Sequence, residues 1–202
     1  MKIGLISDTH IPEAGELPPQ IKEVFAGVEL ILHAGDLHIL SVLDWLEEVA
    51  PVLAARGNGD TRCPPDPRLK RSQVLTQDGL RIGVTHGLAL PEEPPWRTFD
   101  KIMEREFGGP VDVFVYGDTH VAAIDCFKGV LLVNPGSPTF PNNLVNRPGT
   151  LGFLEIVGGK ARASLVQLGN PPQVLSRPST GSGQRPSSSE PGPVSHHRPP
   201  MP

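Results

Sequence analysis

The apolar positions of this chain fall into short solid runs and helix-spaced stretches, with glycine, proline and aspartate between them. KIGLIS, ELILHA and PVLAARG are unbroken runs of strand length, as expected of buried strands. Between them, Pro18 to Phe25 reads as a short helix opened by proline. Ile39 to Val49 repeats Leu40, Leu43 and Leu46 at helical spacing. Further on, Ser72 to Gln77 and Leu80 to Thr85 flank Asp78-Gly79, a hairpin signal. Thr98 to Phe107 has the pattern of a polar-faced helix, and Val111 to Tyr116 that of a buried strand. Ala122 to Phe127 with Val130 to Val133, and Thr150 to Val157 with Lys160 to Leu168, flank Lys128-Gly129 and Gly158-Gly159 as two more hairpins. A β-α-β-α-β first half and a hairpin-rich second half predict an α/β fold: a two-sheet β-sandwich flanked by helices.

The pattern stops after Leu168. Residues 169–202 are rich in proline, serine and glycine and hold almost no apolar material. Such a segment buries too little surface to offset its ordering entropy, so 1–168 is expected to be the folded domain and 169–202 a disordered tail. His196 and His197 are the tail's only metal-capable pair.

The strands end oddly. KIGLIS runs into Asp8 and His10, LILHAG into Asp36, RIGVT into His86 and VFVYG into Asp118 and His120, while Asn58 follows the third strand behind Gly57. A period of two places Asp8 with His10, and Asp118 with His120, on one side of the chain, where both can reach one ion. Sites in α/β sheets gather beyond the carboxyl ends of strands. Each residue also has a structural role open to it: Asp36 suits a helix cap, Asn58 and Asp60 suit a turn, and His86 suits a core position. His33 reads as a satisfied core histidine and His38 as a surface residue at a helix start. Together, however, so many strand-end ligands would be costly to bury without a cation, and a pair of divalent ions sharing one carboxylate would satisfy them all. No cysteine stands among them, which excludes a structural zinc-thiolate site.

Composition narrows the setting. The 202 residues suit one domain with a sizeable core, and a net charge of -4 gives no basic field for nucleic acid. Two cysteines, Cys63 and Cys126, make no disulfide framework. With no apolar run of spanning length and no leader pattern, a cytoplasmic protein without a membrane partner is expected.

The ordered series D-x-H (Asp8, His10), G-D (Gly35, Asp36), G-N-x-D (Gly57 to Asp60), H-G (His86, Gly87) and G-x-T-H (Gly117 to His120) resembles the calcineurin-like metallophosphoesterases. With HAGD and VNPGSPT (Val133 to Thr139), it resembles most their small bacterial and archaeal phosphodiesterase branch, which includes relatives of the retromer vacuolar-sorting subunit. The likeness covers about residues 1–168. It implies the family's α-β-β-α sandwich and two divalent ions, manganese foremost, with magnesium, zinc, iron or nickel as alternatives. It also implies that Asp8, His10, Asp36 and His120 hold one ion, and that Asp36, Asn58, His86 and Asp118 hold the second. In the family, ions ~3.5–4 Å apart hold a bridging hydroxide that attacks a phosphodiester in line, without a covalent intermediate. No protein general acid is assigned. Asn134 is a candidate to bind a substrate phosphate oxygen, although Pro135 and Gly136 equally suit a strand-ending turn. The branch also forms dimers or larger assemblies, which makes a homo-oligomer an expected state.

Two positions depart from the pattern. GNGD puts Gly59 where the larger family often has histidine; the small branch usually lacks that histidine, so Gly59 fits it, and losing such an acid costs ~10²–10⁴ in rate and least for activated leaving groups. GDTH puts Asp118 where the branch usually has an imidazole. A carboxylate ligates at ~2.0–2.2 Å and favours harder ions, which suits manganese or magnesium. These departures leave a second reading open: a catalytically weak or inactive scaffold that uses the fold as an interaction surface. The loops Cys63 to Arg71 and Leu88 to Trp96 are expected to set substrate choice.

Overall fold

The computed structural model describes residues 1–11, 14–88, 98–175 and 179–180. The Leu88 to Trp96 loop, apart from Leu88, and most of the tail, including His196 and His197, lie outside the described residues.

Two mixed sheets face each other, as the apolar pattern predicts. The first contains β1 (Lys2–Ile6), β2 (Leu30–His33), β3 (Val52–Ala55) and β4 (Leu69–Lys70). The second contains β5 (Gln73–Gln77), β6 (Leu80–Val84), β7 (Val113–Val115), β8 (Ala123–Phe127) and β9 (Val130–Asn134). The chain then returns to the first sheet as β10 (Thr150–Val157), β11 (Lys160–Gln167), β12 (Gln173–Val174) and β13 (Ser179–Thr180). The strand orders are β12-β11-β10-β1-β2-β3-β4, with β13 also on β11, and β5-β6-β7-β9-β8. The expected hairpins β5-β6, β8-β9 and β10-β11 are all antiparallel, and their glycines at 79, 129 and 158 take positive φ.

Two short strands follow Leu168. Gln173 and Val174 pair with Gln167 and Val166, and Ser179 and Thr180 with Ala163 and Arg162. These residues extend the sheet along the outer edge of β11 although they bring little apolar surface.

Alternation along the central strands explains the layers. Leu30 and Leu32 of β2 point into the core between the sheets with Val113 and Val115 of β7 and Leu131 and Val133 of β9. Ile31 points the other way, toward α1 (Gln20–Val24) and α2 (Ser41–Glu47), which bury Ile21, Leu43 and Leu46 on that outer face. Phe114 and Leu132 of the second sheet likewise meet α3 (Phe99–Phe107) through Phe99, Ile102 and Phe107. Thr98 caps α3 by accepting from the Lys101 amide, and Gly108 closes it in the left-handed conformation at φ 65°.

The parallel pairs β1-β2-β3 and β6-β7-β9 carry the fold's functional consequence. Their carboxyl ends open onto one side, and each runs into a loop that bears a polar motif. Among the described residues, no helix is long and apolar enough to cross a membrane.

Candidate metal centre

Asp8, His10, Asp36, His86 and His120 converge there. Ligand atoms of Asp8, His10 and His120 lie within 4.8 Å of one another, as do those of Asp8, Asp36 and His86. His10 Nε2 stands 2.8 Å from His120 Nε2 and 3.6 Å from Asp36 Oδ2. Asp118 also reaches in, with Oδ1 3.4 Å from His86 Nε2 and 3.4 Å from the amide nitrogen of Asn58, while its side chain stays half exposed. The structure thus brings all the strand-end candidates other than Asn134 to one cluster, with Asn58 and Asp118 at its open rim.

The backbone is bent to make this happen. Asp8 and His10 have φ 53° and 45°, and Asp118 and His120 have φ 69° and 59°. Left-handed backbone is unusual for side chains other than Asn, Asp and His, and it clusters at functional sites. Asp36 and His38 repeat the geometry at φ 57° and 71°. They form a third D-x-H with the spacing of the other two, and that spacing was the signal available in the sequence. His38 is therefore not a simple surface residue: its Nε2 lies 2.9 Å from His10 Nδ1, and it groups with His10 and Asp36 within 4.8 Å.

Asp60 is the other residue whose importance the sequence hides. Its fully buried carboxylate accepts from the backbone amides of Asp36, His38 and Gly57 at 3.0, 2.8 and 2.7 Å. It thereby ties the loop after β2 to the loop after β3. Those loops touch so closely that a Cβ on Gly57 would stand 2.0 Å from Asp36 Oδ1, so only glycine fits there.

Asn134 makes its hydrogen bonds within the protein. It is fully buried; Nδ2 donates to the Gly117 carbonyl and to Thr119 Oγ1, and Oδ1 accepts from the Gly136 amide. With its polar atoms engaged in this way, it braces the turn that presents Asp118 and His120. The rest of the NPGS stretch is similarly structural, since Ser137 Oγ donates to the Asp8 carbonyl at 2.7 Å. Arg56 is held by the carbonyls of Asp60 and Cys63.

Electrostatics identify what the cluster lacks. Asp8 and Asp36 are buried side by side, and no lysine or arginine among the described residues pairs with either. Burial opposes the charge on Asp36, but His86, the Gly59 amide and His10 hold its pKa at about 2. Burial also opposes a charge on His86, yet Asp36, the Ala34 carbonyl and Asp8 carry it up to about 9. Buried His86 Nε2 and His120 Nδ1 meanwhile have no hydrogen-bond partner. Paired carboxylates, unpartnered imidazole nitrogens and a field that draws positive charge fit a divalent cation site built from oxygen and nitrogen donors. His33, by contrast, is a core histidine as expected: burial lowers its pKa to about 4 against the pull of Asp60 and Asp8, and Nδ1 accepts from the Gly35 amide.

Comparison with known proteins agrees with this geometry. The model of the Calcineurin-like phosphoesterase superfamily domain matches residues 1–158. A probable metallophosphoesterase of Methanothermobacter thermautotrophicus is 37% identical over 172 residues, covering 85% of this chain and 95% of that protein. A phosphodiesterase of Methanocaldococcus jannaschii is 32% identical over 152 residues, covering 67% of this chain and 83% of its own. Among solved structures, Vps29 of Entamoeba histolytica complexed with zinc has the same fold, with a TM-score of 0.68 and 23% identity over 90% of this chain and all of that one. By sequence, fold and clustered ligands, this chain belongs to the calcineurin-like phosphoesterase superfamily.

Proposed function

We propose that the protein is a metal-dependent phosphodiesterase that uses two divalent cations, manganese foremost. Asp8, His10, Asp36 and His120 would hold one ion, and Asp36, Asn58, His86 and Asp118 the other. The observation that carries this reading is the convergence of the buried Asp8 and Asp36 carboxylates with the imidazoles of His10, His86 and His120, with no lysine or arginine among the described residues paired to either carboxylate. When bound there, the ions supply Lewis acidity for the phosphoryl oxygens and an acidified water as nucleophile.

The chain's own residues do the positioning. Asp60 and Asn134 fix the loops from which the ligands project, and Ser137 holds the Asp8 backbone. A diester needs room for two substituents, and cavities flank the cluster on both sides. One of about 390 Å³ is lined by His10, His120, Thr139 and Phe140. Another of about 620 Å³ lies against His38, Ile39, Gly59, Arg62 and Pro64, within the range of small-molecule sites. The second includes the start of the Cys63 to Arg71 loop, the segment expected to set substrate choice. The relative named a phosphodiesterase supports the same substrate class.

Purified protein supplied with manganese should hydrolyse an activated aryl phosphodiester and lose that activity to chelator. Elemental analysis should find about two ions per chain, as the binuclear reading requires. Metal content near zero, with no turnover in any divalent ion, would support the scaffold reading instead.

A further inference from the structure

The third D-x-H offers more than a ligand held in reserve. Neutral imidazole carries one proton, so His10 can offer Nε2 to a cation only when that proton is on Nδ1. His10 Nε2 is the atom that faces the carboxylates, 3.7 Å from Asp8 Oδ1 and 3.6 Å from Asp36 Oδ2. Nδ1 faces His38 Nε2 at 2.9 Å, with the rings edge to face at 86°. Either ring could donate across this contact: with His10 Nδ1 as donor, His10 is in the tautomer that can ligate, and the reverse arrangement would point a proton at the cations. Partners of this kind orient metal-binding histidines and set their basicity.

His38 is itself held firmly. Its amide donates to Asp60 Oδ1 at 2.8 Å, its carbonyl accepts from Cys63 Sγ at 3.3 Å, and its left-handed φ turns the ring back over the loop after β3. The ring occupies the space beside Gly59. A Cβ at position 59 would lie 2.4 Å from His38 Nε2 and 2.5 Å from Cδ2, while the nearest other atom, Asp36 Oδ1, would be 3.4 Å away. Glycine at 59 and histidine at 38 are thus two halves of one packing arrangement.

We propose that His38 is a positioning residue that fixes His10 with Nε2 toward the cations, and that Gly59 is required to leave room for it. This rests on the metal reading of the site above. The test uses the full chain with manganese alone, following stoichiometry by elemental analysis and affinity by calorimetry. His38→Ala should weaken one of the two sites by about 10–100-fold and leave the other unchanged. His38→Gln, whose Oε1 can accept from His10 Nδ1, should restore most of the loss. Gly59→Ala, which keeps the histidine but displaces its ring, should reproduce His38→Ala, and the double variant should be no weaker than His38→Ala alone. Nitrogen-15 spectra of the metal-free protein should show the His10 proton on Nδ1 in the wild type and a tautomer mixture in His38→Ala. Wild-type affinity in both His38→Ala and Gly59→Ala would overturn the inference. So would failure of His38→Gln to restore binding, which would make His38 a ligand in its own right. Wild-type protein that takes up no manganese would instead overturn the metal reading, and this inference with it.

Discussion

Asp118 Oδ1 stands 3.4 Å from His86 Nε2, across the gap between the loops that follow β7 and β6. The carboxylate stands where the branch this chain resembles usually has an imidazole, and it reaches His86. Asp118→Asn should therefore cost the second ion more than an outer partner would, about 100-fold or more in manganese affinity. Asp118→His should keep the ion but move preference from manganese toward zinc, the softer choice. Competition titrations between the two metals measure both. Equal preference in wild type and Asp118→His would show that Asp118 is not a ligand.

The Asp60 carboxylate is expected to matter for stability rather than for chemistry. Asp60→Ala strands the amides of Asp36, His38 and Gly57 without their acceptor. At ~1–3 kcal/mol for each of the three unsatisfied groups, the loss should be about 3–9 kcal/mol. Urea unfolding reads it as a lower midpoint at unchanged slope. A loss under about 1 kcal/mol would mean that water replaces the carboxylate.

His33 supplies a pH dependence. Its pKa falls from 6.5 to about 4 on folding because the buried ring is held neutral. The unfolded chain then binds more protons than the native one between those values, so stability is full above pH 6.5 and drains away as pH falls toward 4. Each tenfold difference in proton affinity between the two states is worth about 1.4 kcal/mol, which brings the total to about 3 kcal/mol. His33→Asn, whose Oδ1 can still accept from the Gly35 amide, should flatten that slope; stability against urea from pH 4 to 7 checks it. An unchanged slope would assign the effect to the carboxylates instead.

Phe114 separates fold from site. It is fully buried against Phe99 and Phe107, beneath α3 and on the face of β7 away from the other sheet. Phe114→Ala should cost about 3–5 kcal/mol while the folded fraction binds manganese as before. Thermal melts with and without metal distinguish the two effects.

The elements were legible because burial on both faces leaves solid apolar runs, and because hairpins need glycine at left-handed positions. β4 was not, since two residues carry no period and pair only because β3 leaves an edge. Strand order was also hidden: nothing local in β10 says that it lies beside β1. At the site, the ordered motifs marked the strand-end acids and imidazoles that the fold brings together. His38 stayed hidden although its D-x-H spacing matched the others, because a histidine before a helix has an ordinary explanation. The partners of Asn134, the Gly117 carbonyl, Thr119 Oγ1 and the Gly136 amide, were likewise beyond any local pattern.

The order and type of the elements, and the placing of acids and imidazoles just past strand ends, belong to the sequence by itself. They follow from periodicity and from the cost of polar groups beside a core, and both act within a few residues. Which ligands meet, which amide is already spent, and which ring fills the space beside Gly59 were decided only by the tertiary structure. Those are distances of a few ångströms between loops up to 110 residues apart. They are set by how two sheets pack and where their parallel strands end, which no local pattern records.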